Sequence, residues 1–359
     1  MAYSSITKPT DYFNTITWVG AGNSNRDFTG VGFAPDWVWV KNRGGSLAIA
    51  HSLYDRLRGA GSNKELVSNT TTAEGGENHE SYDYLSAFGS DGFSSTYAGN
   101  TAYYFNESGS NYVGWNWLAN GGTGSSNSNG TITSSVSANT TAGFSIVSYT
   151  GTGSAATIGH GLGAVPKWYI VKRRDAGSSN WHVYHAGNAA TQDIRFNLAE
   201  AAFTTDIWND TAPTSTVFNV KTSVDVNASS GTYIAYCFAE IKGYSKFGTY
   251  EGNANADGTF VYTGFKPAFV IVKNKDAAEN WIMFDNKRPG YNLTDALLKP
   301  NLNNIESTSG VKFDLLSNGF KARVSDAEGN SSATFIYAAF AENPFVGNDS
   351  GTAVPVTAG

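Results

Sequence analysis

The stretch "GFAPDWVWVKNR" at residues 32–43 decides the fold, because the chain repeats its pattern twice. The second copy reads "GAVPKWYIVKRR" at 163–174, and the third reads "GFKPAFVIVKNK" at 264–275. In each copy a glycine precedes a proline by three residues, and the proline opens a run of aromatic and β-branched residues that favours a strand. Proline is tolerated at the first position of a strand, where it need not donate to the ladder. The pattern therefore predicts three equivalent strands.

The shared register extends well beyond the quoted stretch. A further glycine stands 12 residues before each of these glycines, an aromatic residue precedes it by two, and a lysine follows each proline by six. The phrases "NYVGWNWLA" (111–119), "TYIAYCFAE" (232–240) and "TFIYAAFAE" (334–342) begin 76, 66 and 67 residues after the prolines. Such constant spacing indicates internal repetition. The positions in register are Gly20, Gly151, Gly252, Gly32, Gly163, Gly264, Pro35, Pro166, Pro267, Trp18, Tyr149, Tyr250, Lys41, Lys172 and Lys273.

The recurring residues are interpreted first as structural. The glycines are expected to supply positive φ or close backbone approach, and the aromatics two residues after the prolines (Trp37, Trp168 and Phe269) are expected to pack inward. Each recurring lysine is expected to mark the exit of a strand into solvent, with its stem over apolar surface. A recurring ligand contact is the alternative for the lysines.

Composition predicts an all-β protein. Charged residues make up 15% of the 359 residues, whereas 40 are glycine and 14% are aromatic, which favours short strands joined by tight turns over long helices. The dipeptides Asp91-Gly92 and Asn318-Gly319 predict hairpins. Antiparallel strands of this kind close most simply as β-sandwiches of jelly-roll type, and the repeats predict three in tandem.

The boundaries of these units follow from the register and from the polar segments between them. We predict sandwich repeats at 1–119, 143–240 and 241–342. The Gly/Ser/Asn/Thr-rich segment 120–142 is predicted to be a linker or surface arm, and 343–359 to be a C-terminal tail, because neither carries a periodic apolar pattern.

Several function classes are disfavoured. A net charge of −6 without any basic run argues against nucleic acid, and no apolar stretch is long enough to insert into a membrane. The lone Cys237 excludes an internal disulfide. His182 and His185 are three apart on a predicted strand, point to opposite faces and cannot share a metal. No metal site, cofactor or catalytic motif is therefore predicted and the protein is not expected to be an enzyme, although paired carboxylates for glycoside hydrolysis remain open.

The surplus of aromatic residues suggests a binding surface, since flat rings with a polar group suit sugar faces and protein partners. Most aromatics recur in register, which argues that they form the core. The candidates for receptor binding are aromatics without repeat partners, in the non-repeated segments 76–110 and 186–216. These residues are Trp208, Tyr97, Tyr103 and Tyr104.

Four phrases resemble the repeated module of tail-fibre and other virion structural proteins of tailed bacteriophages, particularly aquatic ones. They are "GFSIVSYTGTGSAATIGHGLGAVPKWYIVK", "YIAYCFAEIKGYSKFGTYEGN", "FVYTGFKPAFVIVK" and "IYAAFAENPF". The resemblance covers nearly the whole chain. It implies a structural or receptor-binding role on the particle and supplies no catalytic residues.

On this resemblance the expected function is a tail fibre or appendage that contacts a host-surface glycan or protein. A capsid decoration or head-fibre protein is the alternative, and a polysaccharide depolymerase is a further one. The expected location is the virion, on the tail or capsid surface after assembly in the host cytoplasm, with other virion proteins as partners. The expected oligomer is a homotrimer, in which "TITSSVS" and "TAVPV" would pair with a neighbouring chain.

Overall fold

The computed structural model describes residues 4–45, 48–289 and 292–344, and the predicted all-β sandwich fold is confirmed. Almost all regular structure is antiparallel strand; one α-helix turn, Val224–Asn227, and two short 3₁₀ turns, Pro9–Asp11 and His79–Ser81, are the exceptions among these residues. We describe the chain as unit 1 (residues 4–119), unit 2 (120–240) and unit 3 (241–344). Most of the predicted tail, 345–359, lies outside the described residues.

Unit 1 contains two facing sheets. The four-stranded sheet has the order β1-β7-β3-β4, and the three-stranded sheet has the order β2-β6-β5. The Asp91-Gly92 hairpin joins β5 to β6, as predicted. The strands are β1 (Phe13–Val19), β2 (Arg26–Thr29), β3 (Trp37–Gly44), β4 (Ser52–Asp55), β5 (Asp83–Phe88), β6 (Gly92–Tyr97) and β7 (Asn111–Trp117).

Unit 2 extends its main sheet to eight strands, in the order β15-β14-β13-β12-β17-β10-β9-β8, and faces it with the pair β11-β16. The helix turn precedes β17. The strands are β8 (Ser125–Asn127), β9 (Ser134–Asn139), β10 (Phe144–Thr150), β11 (Ala156–Gly159), β12 (Pro166–Arg173), β13 (Trp181–His185), β14 (Gln192–Arg195), β15 (Phe203–Thr204), β16 (Val217–Val220) and β17 (Thr232–Ala239).

Unit 3 resembles unit 1, with sheets of order β18-β24-β20-β21 and β19-β23-β22. The Asn318-Gly319 hairpin joins β22 to β23, as predicted. The strands are β18 (Ser245–Glu251), β19 (Phe260–Tyr262), β20 (Phe265–Asn274), β21 (Ile282–Asp285), β22 (Phe313–Leu316), β23 (Gly319–Ala322) and β24 (Thr334–Pro344).

The main sheets of the three units share one strand order and one register. The strand that contains or follows the recurring proline lies beside the last long strand of its unit in every case. The aromatic residue two positions after each proline faces an aromatic residue on that last strand. These cross-strand pairs are Trp37↔Trp117, Trp168↔Phe238 and Phe269↔Phe340, and Trp37, Trp168 and Phe269 are all buried.

The inner faces of the three main sheets pack against one another and form one continuous apolar core. At its centre the Phe340 ring lies 5.7 Å from Trp117 and 5.6 Å from Phe238, so equivalent positions of the three last strands meet. The inward residues of these strands are Val113, Trp115, Trp117, Ile234, Tyr236, Phe238, Ile336, Ala338 and Phe340. Each unit also has a separate outer core between its two sheets. The three units are therefore joined around shared hydrophobic surface.

The recurring glycines occupy two kinds of site. A Cβ added to Gly20 would lie 1.9 Å from the carbonyl oxygen of Glu107, and Gly151 and Gly252 face comparable backbone contacts at 2.3 and 2.0 Å. These positions admit only a hydrogen at Cα. The second set, Gly32, Gly163 and Gly264, has φ of 89°, 68° and 84°. Such left-handed backbone favours glycine at the turn before each proline.

The polar segment 120–142 differs from the predicted linker. It contains β8 and β9, and β9 pairs with β10 over five residue positions, Ser135 to Asn139. Part of "TITSSVS", expected to pair with another chain, therefore pairs within its own unit. Composition could not show this, because a strand such as β9, with one face toward the core, can carry polar residues on its other face.

Three interfaces connect the units in a cycle. At each one a backbone N–H from one unit donates to a carbonyl at the end of the proline-associated strand of the next. These bonds are Glu74 N to Arg174 O, Ala202 N to Lys275 O, and Glu306 N to Arg43 O, at 2.8–2.9 Å. We call them interface 1–2, interface 2–3 and interface 3–1, after the units that they join.

Candidate functional site

Trp208, predicted as a surface residue, is fully buried. Its ring packs edge-on against Tyr169 at 5.0 Å and Tyr184 at 6.4 Å between centroids. The non-repeated segment around it covers the outer face of the main sheet in unit 2, where Ile207 joins the same core. The prediction was wrong because a residue without a repeat partner can still complete the core of its own unit.

Tyr97, Tyr103 and Tyr104 are half-buried and held in place. The backbone N–H groups of Tyr103 and Tyr104 both donate to the carboxylate of Asp83. The Tyr104 ring stacks on His79 at 3.4 Å, and its hydroxyl donates to a backbone carbonyl. Tyr97 ends β6 and donates its hydroxyl to Gly99 O, and Tyr103 and Tyr104 lie in the loop that follows, so all three are only partly exposed.

The most exposed aromatic residues lie on β19, which the sequence did not single out. Phe260 is 43% exposed and Tyr262 is 48% exposed, and every other aromatic residue within 4–45, 48–289 and 292–344 is less exposed. They stand two apart on a strand and so share its outward face, while Val261 between them is buried. Because β19 is the edge strand of its sheet, this aromatic pair lies at the border of unit 3.

A polar groove adjoins the aromatic pair, between the end of unit 2 and β19. Its volume is about 370 Å³, and its side chains include Glu240, Lys242, Lys246, Tyr262 and Thr263. The Lys246 ammonium donates to the carbonyl oxygen of Tyr262 at 3.0 Å and lies 5.3 Å from the centre of its ring. The site therefore combines aromatic surface with charged and hydroxyl groups. We call Phe260, Tyr262 and this groove the β19 site.

The corresponding strands of the other units lack these aromatics. The buried residue of each edge strand faces a phenylalanine: Val261 faces Phe320, Phe28 faces Phe93, and Ile158 faces Phe218. With that alignment the two positions that flank the buried residue hold Asp27 and Thr29 in unit 1, and Thr157 and the buried Gly159 in unit 2. Aligning "FVY" (260–262) with "DFT" (27–29) and "TIG" (157–159) would have revealed the difference from the sequence.

The recurring lysines are buried, which corrects the expectation that they leave their strands into solvent. Each lies on the inner face of its sheet and is 0% exposed. Lys41 donates to Ile49 O at 2.6 Å and Asn303 O at 3.1 Å, and Lys172 donates to Ser179 O and, across interface 1–2, to Thr71 O. Burial lowers the pKa of Lys41 to about 7 and that of Lys172 to about 8. These ammonium groups satisfy backbone carbonyls at one end of the shared core.

Two histidines on β13 point to opposite faces. His182 lies between Asp193, at 2.6 Å, and Asp225, at 3.1 Å. Burial alone would lower the pKa of His182, but these carboxylates raise it to about 9. His185 instead donates from Nε2 to the carbonyl oxygen of Tyr337 in unit 3. Both rings thus have defined packing roles.

Among the residues that the structure describes, no group of three His, Cys, Asp or Glu side chains could hold a metal ion. In the same part of the chain there is no helix of the length and apolarity needed to cross a membrane.

Comparison with known proteins identifies a family. A family model described as a domain of unknown function (DUF7483) matches residues 8–344, so it spans all three units together. No curated protein and no solved structure matches significantly.

Proposed function

We propose that this chain, which belongs to the DUF7483 family, is a structural protein of a bacteriophage particle, most simply a tail fibre or appendage that contacts the host surface. The phrases that resemble phage virion modules lie mainly on the main-sheet strands and on β19. In this proposal the shared core is the scaffold, and the β19 site contacts the host. The partners are other virion proteins and a glycan or protein of the host.

The observation that supports a binding role is the difference in exposure between two aromatic side chains on β19 and the other described aromatics. Most described aromatics pack in the shared core or the outer cores, whereas Phe260 and Tyr262 are partly exposed, at 43% and 48%, two residues apart on β19. Exposed aromatic groups on a rigid surface are frequent centres of recognition. A scaffold that buries so many large rings holds such a pair in a fixed position.

A binding role fits the titratable groups better than catalysis does. The carboxylate–histidine contacts of His182 are enclosed in unit 2, and the lowered lysine pKa values belong to side chains whose ammonium groups already donate to carbonyls. General acid–base catalysis needs such a group within reach of a substrate. The β19 site instead offers aromatic surface, lysines and a threonine.

The homotrimer stays a proposal that rests on the resemblance alone. Part of "TITSSVS" pairs within unit 2, and "TAVPV" lies outside the described residues. Light scattering of the purified protein tests it, and a monomeric mass at micromolar concentration contradicts it. One chain already closes three sheets around a common core, so a monomer is compatible with a stable particle component.

Immunogold electron microscopy of purified particles tests the proposed location. Antibodies against the chain should label the tail, and purified chain should reduce adsorption of particles to host cells in a concentration-dependent way. Absence of the chain from particles, measured by mass spectrometry, contradicts the proposal. Label on the head supports the decoration alternative, and release of reducing ends from host glycan supports a depolymerase.

A further inference from the structure

We propose that the segment 345–359 of this chain binds the open edge of β1 as an added strand and fills the cavity beside it, as β9 covers the edge of β10. This contact is independent of the proposed host contact, because it closes a sheet of the chain itself. Three features carry it: the unpaired side of β1, a cavity at the place equivalent to that of β9, and the position of Pro344, where the described residues end.

The strand β1 has a neighbouring strand on one side only among the described residues, because it stands first in the order β1-β7-β3-β4. Gly20 N, just after β1, bonds toward the β7 side, so alternate residues of β1 turn their backbone groups away from β7. Thr15 N donates to Asn14 Oδ1, and Val19 O accepts from Arg26. The residues that face away are Phe13, Thr15, Thr17 and Val19. Such a strand edge is a template for a further strand.

The equivalent strand of unit 2 is covered. On the side away from β17, β10 pairs with β9, and Ser137 lies opposite Ile146. The chain reaches this position soon after the last strand of unit 1, where Asn120 N donates to Ser137 Oγ and the side chain of Asn139 donates to Ala119 O. The strand β9 therefore lies at the boundary between units 1 and 2.

A cavity of about 150 Å³ lies at the matching boundary between units 3 and 1. Its lining includes Thr15, which corresponds to Ile146, and Asn343, which corresponds to Asn120. The cavity therefore stands where β9 lies in unit 2. It is far too small for a folded partner, and it has room for side chains of an added strand.

Two buried polar atoms of the cavity have no hydrogen-bond partner among the described residues. They are Thr15 Oγ1, on a residue that is 4% exposed, and Asn286 Oδ1. Buried polar groups are nearly always hydrogen-bonded in folded proteins. The backbone of an added strand would supply an N–H donor for Asn286 and a carbonyl acceptor for Thr15.

The segment 345–359 is placed to reach this edge. Asn343 lines the cavity, and the segment begins two residues later. Its 15 residues span up to about 50 Å when extended, whereas the seven residues of β1 span about 23 Å. The segment can therefore run along β1 and return, as β8 and β9 do beside β10.

The sequence of the segment suits an edge strand. In "TAVPV" (352–356), Val354 and Val356 stand two apart, as Val136 and Ala138 do on β9, so on a strand they share one face. Pro355 between them has no N–H to donate and is tolerated on an edge strand.

The corresponding edge of unit 3, β18, is partly covered by residues of unit 2. Phe247 N donates to Glu240 Oε2 at 3.4 Å. Gly187 lies so close to Thr249 that an added Cβ would stand 2.4 Å from the threonine methyl group. The edge of β1 is therefore the better place for the segment.

Hydrogen exchange of the full chain, followed by mass spectrometry, tests the contact. The variant V354D/V356D places charge on the apolar face of the segment, and the control N348D/S350D adds the same charge in its polar part. The measured peptides cover β1, and peptides of β10 are the internal reference.

We expect the amides of β1 that face away from β7 to exchange slowly in the unchanged chain and in N348D/S350D, and about tenfold faster or more in V354D/V356D. Exchange in β10 and thermal unfolding of the described units should be similar in all three proteins.

Three results overturn the proposal: fast exchange of these amides in the unchanged chain, equal exchange in the unchanged chain and V354D/V356D, or equal acceleration by both variants. Slow exchange that depends on protein concentration, together with a dimeric or trimeric mass in light scattering, would assign the edge of β1 to a neighbouring chain and would overturn it as well.

Discussion

Interfaces 1–2 and 2–3 have the same backbone arrangement and different side-chain chemistry. At interface 1–2, Asp55 of unit 1 is buried against Arg58 and accepts the Tyr236 hydroxyl of unit 2 at 2.8 Å. At interface 2–3 the equivalent strand position is His185, whose ring donates to a backbone carbonyl of unit 3. One interface therefore depends on buried charge, and the other is neutral.

Interface 3–1 belongs with the charged type. Asp285 pairs with Arg288 at 2.6 Å and accepts the indole N–H of Trp115. A second ion pair, Arg43 with Glu306, stands where interface 1–2 has Arg174 with Glu74. At interface 2–3 these positions hold Lys275 and Ala202. The backbone bond common to all three interfaces thus tolerates either chemistry.

The largest expected effect is a loss of stability when the buried ion pair at interface 1–2 is broken. Asp55→Ala should lower the free energy of unfolding by about 3–5 kcal/mol. The Arg58 side chain has no exposed surface and would keep only its longer contact to Glu74, at 3.5 Å, and the buried Tyr236 hydroxyl would lose its acceptor. Urea denaturation followed by tryptophan fluorescence measures the change.

The control copies the neutral interface. In D55H/R58N the two residues match His185 and Asn188 of unit 2, so no buried guanidinium is left unpaired. This double variant should be more stable than Asp55→Ala. A loss below about 1 kcal/mol in the single variant would show that interface 1–2 does not depend on the ion pair.

Interface 2–3 should be more sensitive to acid than interface 1–2. Burial lowers the pKa of His185 to about 4, against 6.5 when unfolded, so between these values the unfolded chain binds a proton that the folded chain does not. The contribution of this residue to stability should therefore fall as pH is lowered from 6.5 to 4, by up to about 3 kcal/mol.

His185→Asn measures that contribution. Urea denaturation between pH 7 and pH 4 should give a shallower loss of stability in the variant than in the unchanged chain. Parallel curves for the two proteins would mean that other groups cause the acid sensitivity.

A smaller difference in stability is expected between variants of two recurring lysines, of which one bonds across an interface and the other within its own unit. Lys172 donates across interface 1–2 to Thr71 O, whereas the described bonds of Lys273 are to Asn274 O and Ala277 O within unit 3. Both lysines donate to two carbonyl oxygens, but those of Lys273 belong to residues that follow it closely in its own unit. Lys172→Met should therefore cost about 1 kcal/mol more than Lys273→Met, because it leaves Thr71 O, in another unit, without this donor. Equal thermal destabilisation would argue that the crossing bond contributes nothing.

The smallest expected effect comes from adding charge to the neutral interface. A202E/K275R places at interface 2–3 the residues of the Arg174–Glu74 pair and should stabilise the chain by about 0.5–1 kcal/mol at low salt. The gain should decrease as salt is raised. The single variant Ala202→Glu is the control, and destabilisation by A202E/K275R would show that the interfaces differ in shape as well as in charge.

Local patterns predicted the strands, because the proline-led apolar runs and the Asp-Gly and Asn-Gly turns have local physical causes. They could not show that the main sheets share a core, since an apolar residue on a strand does not reveal which neighbour covers it. The prediction that the recurring lysines reach solvent was wrong for this reason. Lys41 follows Val40 near the end of an apolar run, yet a second unit covers it.

The aromatic candidates failed for a different reason. The absence of a repeat partner was treated as a sign of exposure, and Trp208 shows that it can equally mark a residue that fills the core of one unit. Phe260 and Tyr262 align with residues of a different chemical type in the other two units. A change of chemistry at an outward position of an aligned strand was the more informative signal.

The meeting of Trp117, Phe238 and Phe340 at the centre of the molecule has a genetic consequence. In a ring of three identical chains, one codon change would alter every copy of a contact at once. Here each copy has its own codons, so a substitution at one interface or on one edge strand leaves the others intact. A single chain with three units can therefore have charged residues at two of its interfaces, neutral residues at the third, and exposed aromatic residues on the edge strand of one unit.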